Sequence, residues 1–190
     1  MNILIIDGYP GKNGLSKYLM EKYYEEIKNS KHFVKKIHVY NLKFDFILHE
    51  GYKNQNPLES DLKKAQELIS WADHLIFFYP IWWTDIPSLL KSFFERIFLP
   101  GFAFKYVNGK KLKLLKGKSA EIIATGGASN IFCKTLGKMA QYRVFGVNLR
   151  FCGISTKWSK IKIYGKIKPS TKKEYIERIV LNIKKRARKV

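Results

Sequence analysis

The chain has 190 residues, of which 46% are hydrophobic and 15% aromatic, enough for a packed core and too apolar for a disordered or collagen-like chain. Lys and Arg number 36 against 15 Asp and Glu, a formal net charge of +21, and residues 157–190 hold 13 of the basic residues with only 2 acidic ones. No apolar run approaches the ~20 residues of a membrane span, the opening MNILIID is too short and unflanked for a signal peptide, and two cysteines are too few for a disulfide framework or a structural zinc site.

The expectation is a cytoplasmic protein folded as one domain over residues 1–190. The run Ile3, Leu4, Ile5, Ile6 reads as a strand buried on both faces. After the loop DGYPGKNG, Leu15, Leu19, Tyr23 and Ile27 recur every fourth residue as the stripe of a surface helix. Phe33 to Tyr40 reads as a second strand. Asn56, Pro57 and Glu59 read as a helix start, with Leu58, Leu62, Ala65 and Ile69 as its stripe. Leu75 to Tyr79 is a third, wholly apolar strand, and Pro87 opens a helix carrying Leu89, Leu90, Phe93, Phe94 and Ile97. Residues 101–117 read as a basic loop, Ala120 to Ala124 as the fourth strand, and Phe132 to Phe145 as a weaker helix. A fifth strand lies within Ile154 to Tyr164, and a basic helix over about 170–187, capped by Ser170 or Thr171, ends the chain.

Five alternations of strand and helix predict an α/β fold: a doubly wound, five-stranded parallel sheet with helices on both faces and the flavodoxin-like order 2-1-3-4-5. In such sheets a ligand sits beyond the carboxyl ends of the strands where the order reverses. That rule selects three loops. Asp7 to Ser16 carries Gly8, Gly11 and Gly14 ahead of a helix N-terminus, an anion seat that matches neither G-x-G-x-x-G nor a P-loop. Pro80 to Pro87 presents Trp82 and Trp83 side by side, within a stretch from Trp71 to Tyr106 that holds 12 of the 28 aromatic residues. Thr125 to Asn130 adds a hydroxyl and two glycines whose amides suit a polar ring edge. Together they fit a ligand with a phosphate and a planar ring, such as flavin mononucleotide.

Other chemistries find little support. His32, His38, His49 and His74 are scattered without metal-ligand spacing, and Cys133 and Cys152 sit in no catalytic motif. The basic surplus outside the tail is spread along a lysine-rich chain, which favours a solvated surface over a nucleic-acid site.

The stretch YPIWWTDIPSLLKSFFERIFLPGFAF resembles the NAD(P)H:quinone oxidoreductases of the flavodoxin-like fold, a family that includes ancillary subunits of glutathione-gated potassium efflux systems. GYPGKNGLS, TGGAS and RFCG fall in the same order and spacing, so the resemblance runs from about residue 2 to residue 155. It implies a flavin phosphate at Tyr9, Leu15 and Ser16, and an isoalloxazine ring lined by Pro80, Ile81, Trp82, Trp83 and Thr84. The ring's polar edge would lie on Ala124, Thr125, Gly126 and Gly127. It also implies FMN or FAD as cofactor and a homodimer with its sites at the interface. Tyr9 stands where the family has a histidine, and Phe132 and Lys138 stand where the animal enzymes have a tyrosine and a histidine. Lys138 is thus a candidate for offsetting charge on the reduced ring.

The expected activity is two-electron reduction of quinones or similar flat electrophiles by NAD(P)H, with ping-pong hydride transfer through flavin N5 and no required side-chain acid or base. Lys105, Lys110 and Lys111 are candidate contacts for the nucleotide's phosphates. The alternatives are a flavoprotein subunit of a membrane transport system and a basic protein that binds nucleic acid or an anionic surface. The apolar excess of Leu89 to Phe98 is expected to form the dimer interface.

Overall fold

The computed structural model describes residues 1–52, 57–165 and 172–190. Strand β1 (Asn2–Asp7) is flanked by β2 (Phe33–His38) and β3 (His74–Pro80), and β6 (Ser119–Thr125) and β7 (Ser155–Tyr164) follow outward from β3, all parallel. Counting sheet strands alone, that is the order 2-1-3-4-5. A separate antiparallel pair, β4 (Phe104–Val107) and β5 (Lys110–Lys113), stands off this sheet.

Side-chain alternation along each strand divides the core into two layers. Leu4, Ile6, Leu75, Phe77, Tyr79, Ile122 and Ala124 face helices α2 (Ser60–Trp71), α3 (Ser88–Ile97) and α6 (Val147–Cys152). Ile3, Ile5, Ile76, Phe78 and Ile123 face α1 (Leu15–Ile27) and α7 (Lys172–Ala187). Among the described helices none is long and apolar enough to cross a membrane.

Several elements differ from the sequence reading. The second strand stops at His38, and Val39–Asn41 form a single 3₁₀ turn. Helix α2 begins at Ser60 rather than at Pro57, because Glu59 and Asp61 instead accept the backbone N–H groups of Asp45 and Lys43, both at 2.9 Å. Buried Arg96 holds the same Glu59 at 2.9 Å. Asn56 and the expected caps Ser170 and Thr171 lie outside the described residues. The basic loop contains the β4–β5 hairpin, turned by Asn108 and Gly109 at φ 50° and 72°, the left-handed pair of a two-residue hairpin turn.

The weaker helix is three short ones. Helix α4 (Asn130–Lys134) and α5 (Leu136–Gln141) are separated at Thr135, and a π-helical turn over Tyr142–Gly146 leads into α6. Gly153 at φ 102° closes α6 in the left-handed conformation.

Helix α3 does not offer the free apolar face expected of it. Leu90, Phe93 and Ile97 are buried, while Phe94 stacks on Phe98 at 4.3 Å and meets Phe145 edge-on at 5.1 Å. Its aromatic surplus is spent within this chain. Helix α7 is likewise a packed layer: Ile179, Ile183 and Ala187 are buried, Arg186 pairs with buried Glu121 of β6, and Arg188 and Lys184 both reach Glu26.

Candidate functional site

The first loop is built on Asp7, the polar residue that ends β1. Its carboxylate is buried, accepts the Tyr9 N–H at 3.1 Å and lies 3.0 Å from His38 Nδ1, which fixes the chain's departure from the sheet. The Tyr9 ring then folds over Gly14, where an added Cβ would lie 2.4 Å from the ring, so a larger residue there would have to push the ring aside. Tyr9 also meets Trp82 edge-to-face at 6.5 Å and 68°, joining the first loop to the second.

Gly14 is extended and supplies no side-chain cap, and no acidic residue occupies the first turn of α1. The opening N–H groups of that helix, which have no intrahelical acceptor, are therefore left for an anion. Beneath them Ser16 is 1% exposed, and its Oγ has no hydrogen-bond partner. A buried hydroxyl without a partner costs about 1–3 kcal/mol, a cost that a bound anionic oxygen would remove.

The second loop is a tight turn. Trp82 and Asp85 exchange backbone hydrogen bonds of 3.1 and 2.9 Å, and between them Trp83 and Thr84 adopt φ 50° and 62°. Neither residue type favours that region, and strain of this kind collects where a ligand is bound. The turn displays its indoles: Trp83 is 99% exposed and Trp82 48%. Gln141 of α5 holds the turn from below. It is fully buried, donates to the Thr84 carbonyl at 2.8 Å and accepts the Tyr79 hydroxyl at 3.0 Å. The third loop is stitched to the second by the Ile81 N–H on the Thr125 carbonyl at 2.7 Å. Gly127 faces open space.

These loops enclose an open cleft of about 540 Å³ beyond the carboxyl ends of β1, β3 and β6. Leu15, Pro80, Ile81, Trp82, Trp83, Thr125, Gly126 and Gly127 line it, eight of the twelve residues expected to hold a cofactor. The other four stand behind it. Tyr9 braces the loop, Ser16 lies under the helix start, Thr84 carries the strained turn, and Ala124 is buried in the core, seating Thr125 without reaching the cleft.

Lys138 is elsewhere. Its ammonium lies 4.7 Å over the Trp158 ring, on the side of α5 that packs against β7, so it takes no part in the cleft wall. The hairpin lysines are also outside that wall, and Lys111 sits 3.5 Å over the Phe151 ring. The lining holds no ionisable side chain. Burial pushes the Cys152 thiol up to about 11 and raises that of Cys133, so neither is a thiolate nucleophile at neutral pH. Among the described residues no group of His, Cys, Asp and Glu could hold a metal ion.

Gln141 escaped the sequence reading, and Asp7 entered it only as the first residue of a loop. Asp7 had a signal, as the first polar residue after a continuous apolar strand. Gln141 had none, being one polar residue in a weakly patterned helix 57 positions from its partner Thr84.

The sequence pattern of the flavodoxin-like fold matches residues 1–186. The chain belongs to the flavodoxin-like fold family. It is similar to a ribosyldihydronicotinamide dehydrogenase [quinone] of Pongo abelii, 36% identical over 111 residues, which is 55% of this chain and 47% of that protein. The chain thus spans about half the length of that curated relative. Among solved structures, it superposes on an NAD(P)H:quinone oxidoreductase of Methanothermobacter marburgensis with a TM-score of 0.78 at 21% identity, covering 99% of this chain and 98% of the other. It also matches an FMN-dependent NADH-azoreductase of Bacillus anthracis in complex with FMN, with a TM-score of 0.68 at 18% identity and coverage of 99% and 98%. At those identities the two structures speak for the flavodoxin-like fold alone.

Proposed function

We propose that this flavodoxin-like protein is a flavin-dependent NAD(P)H oxidoreductase that reduces quinones or similarly flat acceptors. The observation that carries the proposal is the convergence of an uncapped helix start, a pair of exposed indoles and a glycine-rich edge on one cleft at the sheet's switch point. The orphaned Ser16 hydroxyl and the first amides of α1 suit the phosphate of FMN or FAD. Trp82, Trp83 and Ile81 suit the ring, and the backbone of Thr125 to Gly127 suits its polar edge. The names of the similar proteins, a quinone-linked dehydrogenase, a quinone oxidoreductase and an FMN-bound azoreductase, point the same way.

A flavin held in this cleft would supply the two-electron redox chemistry between NAD(P)H and the acceptor. The residues of the chain bind, stack and exclude water. With no ionisable group in the wall, proton exchange falls to solvent. Trp83, fully displayed, offers a flat surface over which nicotinamide and acceptor could alternate. Lys138 has no place in this scheme.

Assembly as a homodimer belongs to the same reading, supported by the exposed apolar side chains of Ile131 in α4 and Leu136 in α5, 77% and 61% exposed, on the helices that follow the third loop. The transporter-subunit alternative rests on the resemblance alone. The deciding experiment is an absorbance spectrum of purified protein, with the released flavin identified and NAD(P)H oxidation followed in the presence of a quinone. Stoichiometric FMN or FAD with turnover is expected. Protein that takes up neither flavin at micromolar concentration would overturn the reading. Sedimentation should show a dimer that Leu136→Glu converts to monomer.

A further inference from the structure

At the opposite end of the sheet a second pocket, of about 230 Å³, opens where β3, β6 and β7 begin. It is separated from the first cleft by the length of β3, seven residues or about 20 Å. His74, Ser119, Lys157, Lys160 and Lys189 line it, with Met1 and Val190 at its rim.

His74 is only 4% exposed, and its Nδ1 lies 2.7 Å from the Ser119 hydroxyl while its Nε2 has no partner. Lys157, Lys160 and Lys189 share the pocket wall with this ring, and none of them forms an ion pair among the described residues. Of the neighbouring carboxylates, Asp73 accepts the Asn2 N–H at 2.7 Å, and Glu121, paired with Arg186, also lies within electrostatic reach of Lys160. Lys160 already bears on His74, helping burial to lower its basicity. Three like charges converging on a concave site with a buried, unsatisfied nitrogen gain most from a compact anion carrying several acceptor oxygens.

We infer that this pocket is a second ligand site, binding a phosphate-type dianion, either inorganic phosphate or the headgroup of a small phosphomonoester. The Nε2 of His74 meets one oxygen, and Lys157, Lys160 and Lys189 share the charge. Nothing in this site depends on the flavin cleft, and it accounts for part of the basic surplus that the packing of α7 leaves unused.

The test uses the whole chain loaded with FMN and then freed of unbound FMN, itself a phosphomonoester, so that the first cleft is filled and the second pocket is not. The His74 ring resonances are followed by NMR while inorganic phosphate replaces chloride at constant ionic strength. A saturable shift of His74 is expected. Removing either charge, with Lys157→Gln at an exposed position or Lys160→Gln at a half-buried one, should weaken the binding by about tenfold. Glycerol 3-phosphate giving the same shift would identify a monoester headgroup as ligand, whereas inorganic phosphate alone would identify the free ion. A His74 response that never saturates, that is equal in chloride, that persists unchanged in both variants, or that only a short DNA duplex evokes would overturn the inference. Flavin absorbance in the same sample reports separately whether the first cleft is what it is proposed to be.

Discussion

Ser16 and Trp83 each hold a conformation or a polar atom that costs the protein free energy when no ligand is present. For Ser16 the cost is the orphaned hydroxyl, so Ser16→Ala should raise the thermal midpoint of flavin-free protein while weakening FMN binding by about tenfold. A lowered midpoint with unchanged FMN affinity would return the hydroxyl to an ordinary packing role. For Trp83 the cost is its left-handed backbone at φ 50°. Trp83→Gly relieves that strain, worth up to about 1 kcal/mol, and removes a ring that is 99% exposed and supports no core contact. The flavin-free variant should be as stable as the parent or more so by urea denaturation, yet bind FMN at least about tenfold more weakly. Both predictions set stability against binding in opposite directions, which simple loss of structure cannot imitate.

At the scale of elements, Gln141 couples α5 to the tryptophan turn and to β3 through one buried amide. Gln141→Leu leaves the Tyr79 hydroxyl and the Thr84 carbonyl without their partner, and should cost about 2–3 kcal/mol in urea denaturation. Gln141→Glu keeps an acceptor for Tyr79 but, when ionised, turns a buried carboxylate oxygen on the Thr84 carbonyl. It should therefore lose at least as much stability as Gln141→Leu at pH 7.5 and loosen the turn, seen as a change in tryptophan fluorescence and weaker FMN binding. A Gln141→Glu protein as stable as the parent at pH 7.5, with unchanged fluorescence, would show that the bond to Thr84 does not set the turn. The π-helical turn that directly follows Gln141 is where α5 and α6 are reconciled, and such turns often lie beside functional sites.

Across the whole molecule, acid sensitivity should trace to the amino end of the sheet. Burial, aided by Lys160, lowers the His74 pKa to about 4, against about 6.5 in an unfolded chain. Between those values the unfolded chain binds the extra proton, so the His74 contribution is fully present above about pH 6.5 and lost as pH falls toward 4, about 3 kcal/mol in all. In phosphate-free buffer the fall in unfolding free energy from pH 7.5 to 4.5 should shrink in His74→Gln. Glu121 acts in the other sense: burial raises its pKa despite Arg186, and its contribution declines as pH rises through the carboxylate range. Comparing parent and variant at the same two pH values cancels it. An identical pH slope in both proteins would show that His74 is not the titrating group.

The sequence by itself determined the sheet, its order and the loops that meet at its edge. Continuous apolar strands such as Ile3 to Ile6 can be buried only between two helical layers, and right-handed crossovers then leave little freedom of topology. It also contained the β4–β5 hairpin in its Asn108-Gly109 pair, a local signal that the basic character of residues 101–117 obscured. Tertiary structure alone decided which of the expected residues face the cleft. Ala124 and Lys138 lie near the right loops in sequence, but strand alternation turns Ala124 into the core and packing of α5 on β7 carries Lys138 to Trp158. It alone brought Gln141 to Thr84 and gathered His74, Lys157, Lys160 and Lys189 at the far end of the sheet. Local patterning records which face of an element is apolar. It does not record which polar atoms remain without a partner once the faces have met, and the Ser16 hydroxyl and the His74 ring nitrogen are of that kind.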